Sequence, residues 1–387
     1  MEIVVKLTTG CNLRCVYCSE GDKPLMTLKK EYLYKLIDEL PAFLDAHHDK
    51  KITLLWHGGE PMTVGTAYLQ QVMDYAKEKL QGYELSFQMQ TNLTLLDKAW
   101  IDLIKTYQIG VGVSIDGYQE LHDANRLSKE GNPTFAIVTK NMDRLQEAGI
   151  HFGTLMVLNT EKDIDIDKLY TFIKNHDLHM KIHPVIPCGR AAGHPHAREI
   201  YDRYVDIMER LYETAMSDLD FEGTIEPLEE MMRAILSDSH LGECSYNGSC
   251  GKNILCIFAN GEMGFCGRAE QEKENLGFGN IQNVSLQEMY ESAHAKIIRG
   301  RQDFLQAHGC GRCPEWNLCR GGCSFEALNA FGTLEARYPN CEGRRRLIQY
   351  LKTKGLELLK KRLIANREKY RVIIKSRKKM LKDLENG

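Results

Sequence analysis

The chain has 387 residues, of which 43% are hydrophobic and 27% charged, and its formal net charge is −3. That size allows two or three domains with a full core, while the lack of a long apolar run and of a signal peptide predicts a cytoplasmic protein that does not bind membranes. Because the cytosol keeps thiols reduced, the 13 cysteines are expected to bind metal or take part in chemistry rather than form disulfides.

Apolar segments of strand length alternate with amphipathic helical segments through the first half of the chain. The predicted strands are Glu2–Leu7, Lys51–Trp56, Glu84–Gln90, Gly110–Ile115, Phe152–Leu158 and Lys181–Ile186. The predicted helices lie near Leu28–Leu40, Thr66–Leu80, Lys98–Tyr107, Thr134–Ala148, Asp165–Asn175 and Arg198–Met216. Regular β–α alternation predicts an α/β fold, a partial (β/α)6 TIM-like barrel with a parallel sheet, in which the loops after the strands carry the chemistry.

The pattern changes after about residue 220, where segments become short and rich in Gly and Cys. We therefore predict three domains: a barrel at 1–220, a small Cys-rich domain at 221–343 and a basic helical tail at 344–387. The tail has 16 Lys or Arg against 4 Asp or Glu, a net of +12 on an otherwise acidic chain. Such a tail indicates an acidic partner, docking on the protein's own body, or simply a solvated helix. The acidic body argues against wide contact with nucleic acid.

The first cysteine group, Cys11, Cys15 and Cys18, directly follows the first predicted strand, with gaps of three and two residues. Three thiolates in one loop can hold three irons of a 4Fe–4S cluster, and the fourth iron is then open to a substrate. A structural zinc site needs four closed ligands, and no fourth Cys or His lies nearby in the sequence. The spacing therefore favours an iron–sulfur cluster over zinc.

This C-x3-C-x2-C motif resembles that of the radical S-adenosylmethionine (radical SAM) superfamily. Further matches to the family's cofactor pocket are Tyr17, Gly58, Gly59, Glu60, Pro61, Gln90, Asn92, Ser114 and Asp116. The resemblance implies that a cluster on the three cysteines binds SAM and cleaves it reductively to a 5′-deoxyadenosyl radical. It also implies that Glu60 and nearby backbone carbonyls bind the methionine amino group, and that the glycines let the backbone approach that ligand.

The second cysteine group resembles the SPASM domain, which carries two auxiliary 4Fe–4S clusters. Transferred residue by residue, the resemblance implies a first ligand set of Cys244, Cys250, Cys266 and Cys323, and a second of Cys310, Cys313, Cys319 and Cys341. A pair of zinc sites is the alternative. We expect Cys256 to be a buried inert thiol, with replacement of Cys244 or Cys250 as the alternative. For Cys188 we expect packing in its loop, with a substrate contact as the alternative.

Enzymes with this layout mostly act on peptides or proteins, among them anaerobic sulfatase-maturating enzymes and maturases of ribosomally made peptides. Sulfatase maturases carry an Asp base directly after the cysteine that matches Cys266, and this chain has Gly267 there. We therefore predict oxidative cross-linking of a precursor peptide, by a thioether, C–C or C–O bond, without assigning a catalytic residue. The alternatives are sulfatase maturation and a non-enzymatic electron-transfer protein.

The expected partners are the precursor peptide and a reductant such as flavodoxin or ferredoxin. Many peptide maturases have an N-terminal domain that grips the leader peptide, but this chain begins at the first barrel strand. The leader is therefore expected to bind elsewhere, with the basic tail as one hypothesis.

Overall fold

The computed structural model describes residues 1–192, 197–268 and 276–367. Within them, ten strands form one sheet in the order β10-β9-β8-β1-β2-β3-β4-β5-β6-β7. The strands are β1 Glu2–Lys6, β2 Lys51–His57, β3 Glu84–Thr91, β4 Gly110–Ser114, β5 Phe152–Leu158, β6 His179–Pro184, β7 Thr224–Glu226, β8 Ile254–Ile257, β9 Glu262–Gly264 and β10 Gly279–Asn280. Strands β1 to β7 are parallel in chain order, which confirms the α/β class.

Fifteen α-helices are described around this sheet. They are α1 Lys30–Ala46, α2 Thr66–Lys79, α3 Lys98–Tyr107, α4 Gln119–Asn125, α5 Phe135–Glu147, α6 Ile166–Asn175, α7 Ala197–Ser217, α8 Leu228–Ser237, α9 Cys244–Asn247, α10 Leu286–Tyr290, α11 Ala293–Ala307, α12 Trp316–Cys319, α13 Ser324–Phe331, α14 Cys341–Tyr350 and α15 Leu356–Ala365. Local sequence sets several ends: the Asp97 side chain accepts a hydrogen bond from the Trp100 amide at the start of α3, as an N-cap residue does.

The two faces of the parallel sheet differ in burial. On β2, Ile52, Leu54 and Trp56 are fully buried beneath the helices, whereas the alternate residues are half-buried or exposed. Parallel strands covered on both faces are normally buried on both. The second face therefore lines a partly open interior, and the loops at the carboxyl ends of the strands surround its mouth.

Two strands beyond the predicted six extend the parallel part of the sheet. β7 is only three residues long, too short to show a period in the sequence, and it pairs with β6. β8 belongs to the Cys-rich part of the chain, yet it pairs in parallel with the other edge of β1 and continues into the antiparallel β9. In this register Cys256 of β8 lies opposite Val4 of β1, so the Cys-rich part of the chain continues the barrel sheet.

The described part of the basic tail packs against the acidic face of α7. Leu347, Ile348 and Leu351 are fully buried, and Arg346 makes an ion pair with Asp206 (2.6 Å). The helix continues through a π-helical segment, Leu351–Gly355. Tail residues 368–387 lie outside the described residues. Of the three interpretations of the basic tail, these contacts support docking on the protein's own body.

Candidate functional site

The loop that carries Cys11, Cys15 and Cys18 is held from two sides at the carboxyl edge of the sheet. The amide of Val16 donates to the carbonyl of Asn125 (3.0 Å), at the end of α4. On the other side, the Glu60 amide donates to the carbonyl of Gly10 (2.8 Å). The backbones that follow β2 and β4 therefore fix the position of the cysteine loop.

Gly58 and Gly59 are needed for this close approach. A Cβ on Gly59 would lie 2.2 Å from the carbonyl oxygen of Gly10, and one on Gly58 would lie 2.4 Å from that of Thr8. Gly58 also has φ of +135°, a conformation that side chains disfavour. The close approach that the structure shows is to the cysteine loop, and the expected approach of these glycines to SAM stays a prediction.

Burial governs the pKa of two thiols in this loop. It raises the pKa of Cys11 to about 12 and that of Cys15 to about 11, and the neighbouring thiols of the loop add to both shifts. The Asn92 amide lies 3.8 Å from the sulfur of Cys11. Buried thiols stay protonated without a cation, whereas a coordinated thiol is deprotonated. Together with Cys18, these two residues give the loop three thiols, the number that fits an iron–sulfur cluster with one open iron.

Glu60 is a buried carboxylate, 1% exposed. It accepts hydrogen bonds from the amides of Met62 (3.0 Å) and Asn92 (2.7 Å) and from the hydroxyl of Thr91 (2.7 Å). Burial raises its pKa to about 7, although these three donors lower it. The side chain is thus oriented by the protein, and it ionises readily only when a cation approaches.

Tyr17 and Asp116, both expected to line the cofactor pocket, contact each other inside the protein. The Tyr17 hydroxyl donates to one oxygen of Asp116, and the Nε of Arg126 lies 3.1 Å from the other. The amide of Val157 also donates to Asp116 (3.2 Å). This carboxylate therefore connects the cysteine loop to β5 and to Arg126, a residue that sequence reasoning missed.

Gln90 and Ser114 come together from neighbouring strands. The Gln90 amide nitrogen donates to the Ser114 hydroxyl (2.9 Å), and the side chain lies over Gly112, whose Cβ would come within 2.3 Å of its oxygen. Both side chains are half-buried. They lie on the partly open interior of the sheet, next to the cysteine loop.

The turn after β6 clasps the cysteine loop and was also missed. Arg190 donates to the carbonyl of Cys15 (3.0 Å) and pairs with Asp22 (2.7 Å), and its amide donates to the carbonyl of Cys18 (3.0 Å). Cys188 begins this turn, and burial raises the pKa of its thiol to about 11. Only the end-of-strand position of the segment hinted at such a role.

The cysteines of the first auxiliary set converge although they are far apart in the chain. Cys244 begins α9 and Cys323 precedes α13. Burial raises the pKa of Cys244 to about 12, and the charges of Cys250 and Cys266 add to the shift. Burial also raises the pKa of Cys323, followed by the charge of Glu326. The charges of Cys250, Cys266 and Cys244 add to this shift. The thiols of this set therefore lie near enough to influence one another, as the ligands of one cluster would.

Cys256 is fully buried on β8, where it pairs in register with Val4 of β1. Burial raises the pKa of its thiol, and the Lys6 charge lowers it. The charge of Cys266 adds to the shift of Cys256, whereas the pKa values of Cys244 and Cys323 are raised mainly by burial, with contributions from the other thiols of their own set. The expected inert packing role therefore stays the preferred interpretation.

The second auxiliary set occupies a more exposed loop region. Cys310 and Cys313 bracket a 3₁₀ turn, Cys319 ends α12 and Cys341 begins α14. Burial raises the pKa of Cys310, and the charges of Cys319, Cys341 and Cys313 raise it further. These four thiols thus influence one another.

No three His, Cys, Asp or Glu side chains among the described residues converge on a point where one metal ion could sit. The ligands of a 4Fe–4S cube bind separate corners, so they lie farther apart than those of a tetrahedral zinc ion.

Comparisons with known proteins agree with this geometry. The family model of the radical SAM superfamily matches residues 5–173, and that of the SPASM iron–sulfur cluster-binding domain matches residues 244–314. The chain has a radical SAM domain and a SPASM domain. It is a radical SAM enzyme with a SPASM domain, and its cofactors are SAM and 4Fe–4S clusters that include auxiliary ones.

Among relatives of this radical SAM chain, the cysteine-type anaerobic sulfatase-maturating enzyme of Clostridium perfringens (strain 13 / Type A) is 24% identical over 338 residues, 84% of this chain and 88% of the relative. The solved structure of anSMEcpe with AdoMet and the Cp18Cys peptide matches with a TM-score of 0.78 at 20% identity, over 93% of this chain and 99% of that one. Streptococcus suis SuiB bound to precursor peptide SuiA matches with a TM-score of 0.63 at 16% identity, over 88% and 75%. Both structures show the shared fold.

Proposed function

We propose that this enzyme modifies a ribosomally made precursor peptide by an oxidative cross-link. Action on a peptide is supported by two structural neighbours that hold peptides, anSMEcpe and SuiB. The observation that carries the choice of cross-linking is the surroundings of Cys266, where Gly267 stands in place of a carboxylate base.

The space at Gly267 faces a cation. A Cβ at this position would lie 3.0 Å from Cε of Lys6 and 3.6 Å from its ammonium nitrogen. The carboxylate nearest to that ammonium is Glu20 (2.5 Å), and Lys6 holds the pKa of Glu20 at about 2 although burial raises it. A carboxylate with so low a pKa is a poor base, so the site does not replace the missing Asp.

The proposed ligands of the SAM-binding cluster are Cys11, Cys15 and Cys18, and those of the auxiliary clusters are the two four-cysteine sets defined above. When bound, SAM and its cluster would supply a radical that takes a hydrogen atom from the substrate. The auxiliary clusters would supply an acceptor for the electron that leaves as the new bond forms. Glu60 binds the ammonium of SAM, while Gln90, Asn92 and Ser114 line its pocket. Tyr17, Asp116 and Arg126 hold the cysteine loop in place.

SAM affinity is expected to increase with pH up to about 7 because of Glu60. Only the ionised carboxylate attracts the SAM ammonium, and the Glu60 pKa is raised to about 7. Below that pH we expect the affinity to fall on the order of tenfold per unit, the limit for one proton. Equilibrium binding of SAM between pH 5 and 7.5 measures this slope.

Glu60→Gln serves as the control for this slope. We expect this variant to bind SAM weakly and with the same affinity across that pH range. A wild-type affinity that does not change with pH would contradict the role of Glu60. Because the Gln amide must turn its nitrogen toward one of three hydrogen-bond donors, the variant is also expected to lose about 1–3 kcal/mol of stability, which thermal unfolding measures.

The effect of Glu60 on folding stability changes with pH in the opposite direction to its effect on SAM affinity. Between the ordinary carboxyl pKa of 4.5 and about 7, the folded state binds the Glu60 proton more tightly than the unfolded state does. The Glu60 contribution to the free energy of unfolding therefore falls as pH rises through this window. Bound SAM offsets the loss, since its ammonium pairs with the ionised carboxylate.

Mass spectrometry of a co-expressed precursor peptide tests the proposed reaction. A cross-link removes two hydrogens: one as a hydrogen atom to the deoxyadenosyl group, and one as a proton with an electron that passes to an acceptor in the enzyme. We therefore expect a product two hydrogens lighter than the peptide, with the new bond located by fragmentation. An unchanged mass with an inverted centre, as in epimerisation, would contradict cross-linking.

Sulfatase maturation is the second candidate, because sulfatase-maturating enzymes are among the relatives. A peptide with a Cys-x-Pro-x-Arg motif is the direct probe for it. We expect no formylglycine from this peptide, since the chain lacks the base after Cys266. Formylglycine formed at a rate comparable to that of a sulfatase-maturating enzyme would overturn the cross-linking proposal.

A further inference from the structure

Two cationic side chains flank Cys266, the cysteine at the start of the 266–268 segment. Arg268 lies two residues after it, and the Arg268 amide donates to the sulfur of Cys266 (3.4 Å). From the β1 side, the ammonium of Lys6 lies beneath Gly267, 3.6 Å from where a Cβ would be. The segment thus runs between one cation from the barrel and one from the SPASM part.

Lys6 is 5% exposed and yet retains its charge. Burial lowers its pKa, but the charges of Glu20, Cys256 and Cys266 raise it above its ordinary value. Its Nζ contacts Glu20 (2.5 Å) and the Nδ1 of His57 (3.3 Å). Burial lowers the pKa of His57 to about 3, so this histidine is neutral. Lys6 is therefore the cation among these three side chains.

Arg268 differs from Lys6 because, among the described residues, it pairs with no carboxylate within ion-pair distance. Its side chain lines a cavity of about 30 Å³ together with His183 and Glu326. Ser245, which follows Cys244 directly, lines the same cavity. The Arg268 side chain therefore lies between the segments that carry Cys244 and Cys266, two of the four thiols of the first auxiliary set.

We propose that Arg268, assisted by Lys6, raises the reduction potential of the auxiliary cluster held by Cys244, Cys250, Cys266 and Cys323. A buried cation beside a cluster stabilises the added negative charge of its reduced form, and this effect is large where water is excluded. The inference rests on the proposed ligand set. It deepens the proposed function, since this cluster then accepts the electron that leaves the substrate during cross-linking.

A redox titration of the reconstituted enzyme, followed by electron paramagnetic resonance, tests the proposal without any peptide. In Arg268→Gln we expect the equilibrium constant for reducing this cluster to fall on the order of tenfold, which is about 59 mV for a one-electron couple. Arg268→Lys keeps the charge and is expected to restore most of the potential. The signal of this cluster is assigned by its change in Cys323→Ser.

The other clusters of the same protein are internal controls, because a loss of folding would change their reduction potentials as well. Arg233→Gln, which removes an exposed arginine paired with Glu226 (2.7 Å), should leave every potential unchanged. If Arg268→Gln lowers the iron content, Lys6→Met is the second variant, because Glu20 retains Lys23 as a partner (3.3 Å). Lys6→Met should also lower the reduction potential of the first auxiliary cluster.

The proposal is overturned if neither variant shifts this cluster, or if both auxiliary clusters shift equally. Its failure differs from failure of the proposed reaction. The titration involves no substrate, whereas an absent cross-link would appear in the mass of the peptide with all potentials unchanged.

Discussion

Replacing Cys11, Cys15 and Cys18 together by alanine is expected to reduce SAM cleavage to background. These residues are the proposed ligands of the cluster that binds SAM, and no other thiol of the described residues lies in that loop. With the two auxiliary sets intact, the iron content should fall by about one third, one cluster of three. Chromatography of 5′-deoxyadenosine after reduction measures the first effect, and iron analysis the second.

Cys188→Ala is the matched control for the triple variant. Its thiol is 8% exposed, and the turn that it begins is bonded to Cys18. We expect this variant to keep the full iron content and to cleave SAM at nearly the wild-type rate. Persistent cleavage in the triple variant would contradict the proposed ligand set.

The strands of the barrel could be predicted because apolar residues recur in short segments between amphipathic helices. Phe152–Leu158 and Lys98–Tyr107 match the structure at both ends. The last strand of the six was placed two residues late, because His179 at its start is polar and exposed. The strands β7 to β10 have two to four residues and owe their extended form to pairing with distant strands.

The cysteine clusters were partly predictable. Three thiols in one loop are brought together by the chain itself, so their spacing alone indicated a shared site. The sets of four join segments as distant as Cys244 and Cys323, and only the SPASM resemblance implied which thiols belong together. The structure groups the same thiols, and their role as ligands stays a proposal.

The residues that sequence reasoning missed act across long distances in the chain. Arg126 reaches Asp116 and the ring of Tyr17, and Arg190 reaches the carbonyl of Cys15, 175 residues away. Neither has a local sequence signal, because an arginine in a loop is ordinary. Their function depends on the fold, which brings the loops after β1, β4 and β6 to one edge.

The hypothesis that the basic tail grips a leader peptide loses support from the described contacts. Lys352 pairs with Glu315 (2.5 Å), and Lys354 pairs with Glu213. The Arg344 guanidinium is buried between the rings of Tyr246 and Tyr338, 4.0 and 3.9 Å from their centroids. These charges stabilise the protein itself, so an acidic leader would have to displace them.

Gly59→Ala is expected to abolish SAM cleavage although it changes no ligand. The added Cβ would lie 2.2 Å from the carbonyl oxygen of Gly10 and 2.9 Å from that of Thr9, and backbone atoms cannot turn away as a flexible side chain does. The cysteine loop must therefore shift, at a cost of about 1–3 kcal/mol for overpacking. Deoxyadenosine should fall to background, while both auxiliary clusters remain visible in the reduced enzyme.

Gly300→Ala tests whether this effect is specific to the close approach. Gly300 lies inside α11, and nothing stands within 4 Å of where its Cβ would be. Alanine is favoured over glycine inside a helix by about 1 kcal/mol, so this variant should unfold at a slightly higher temperature and cleave SAM normally. If Gly59→Ala also cleaved SAM normally, the tight contact between the loops after β1 and β2 would not position the SAM-binding cluster.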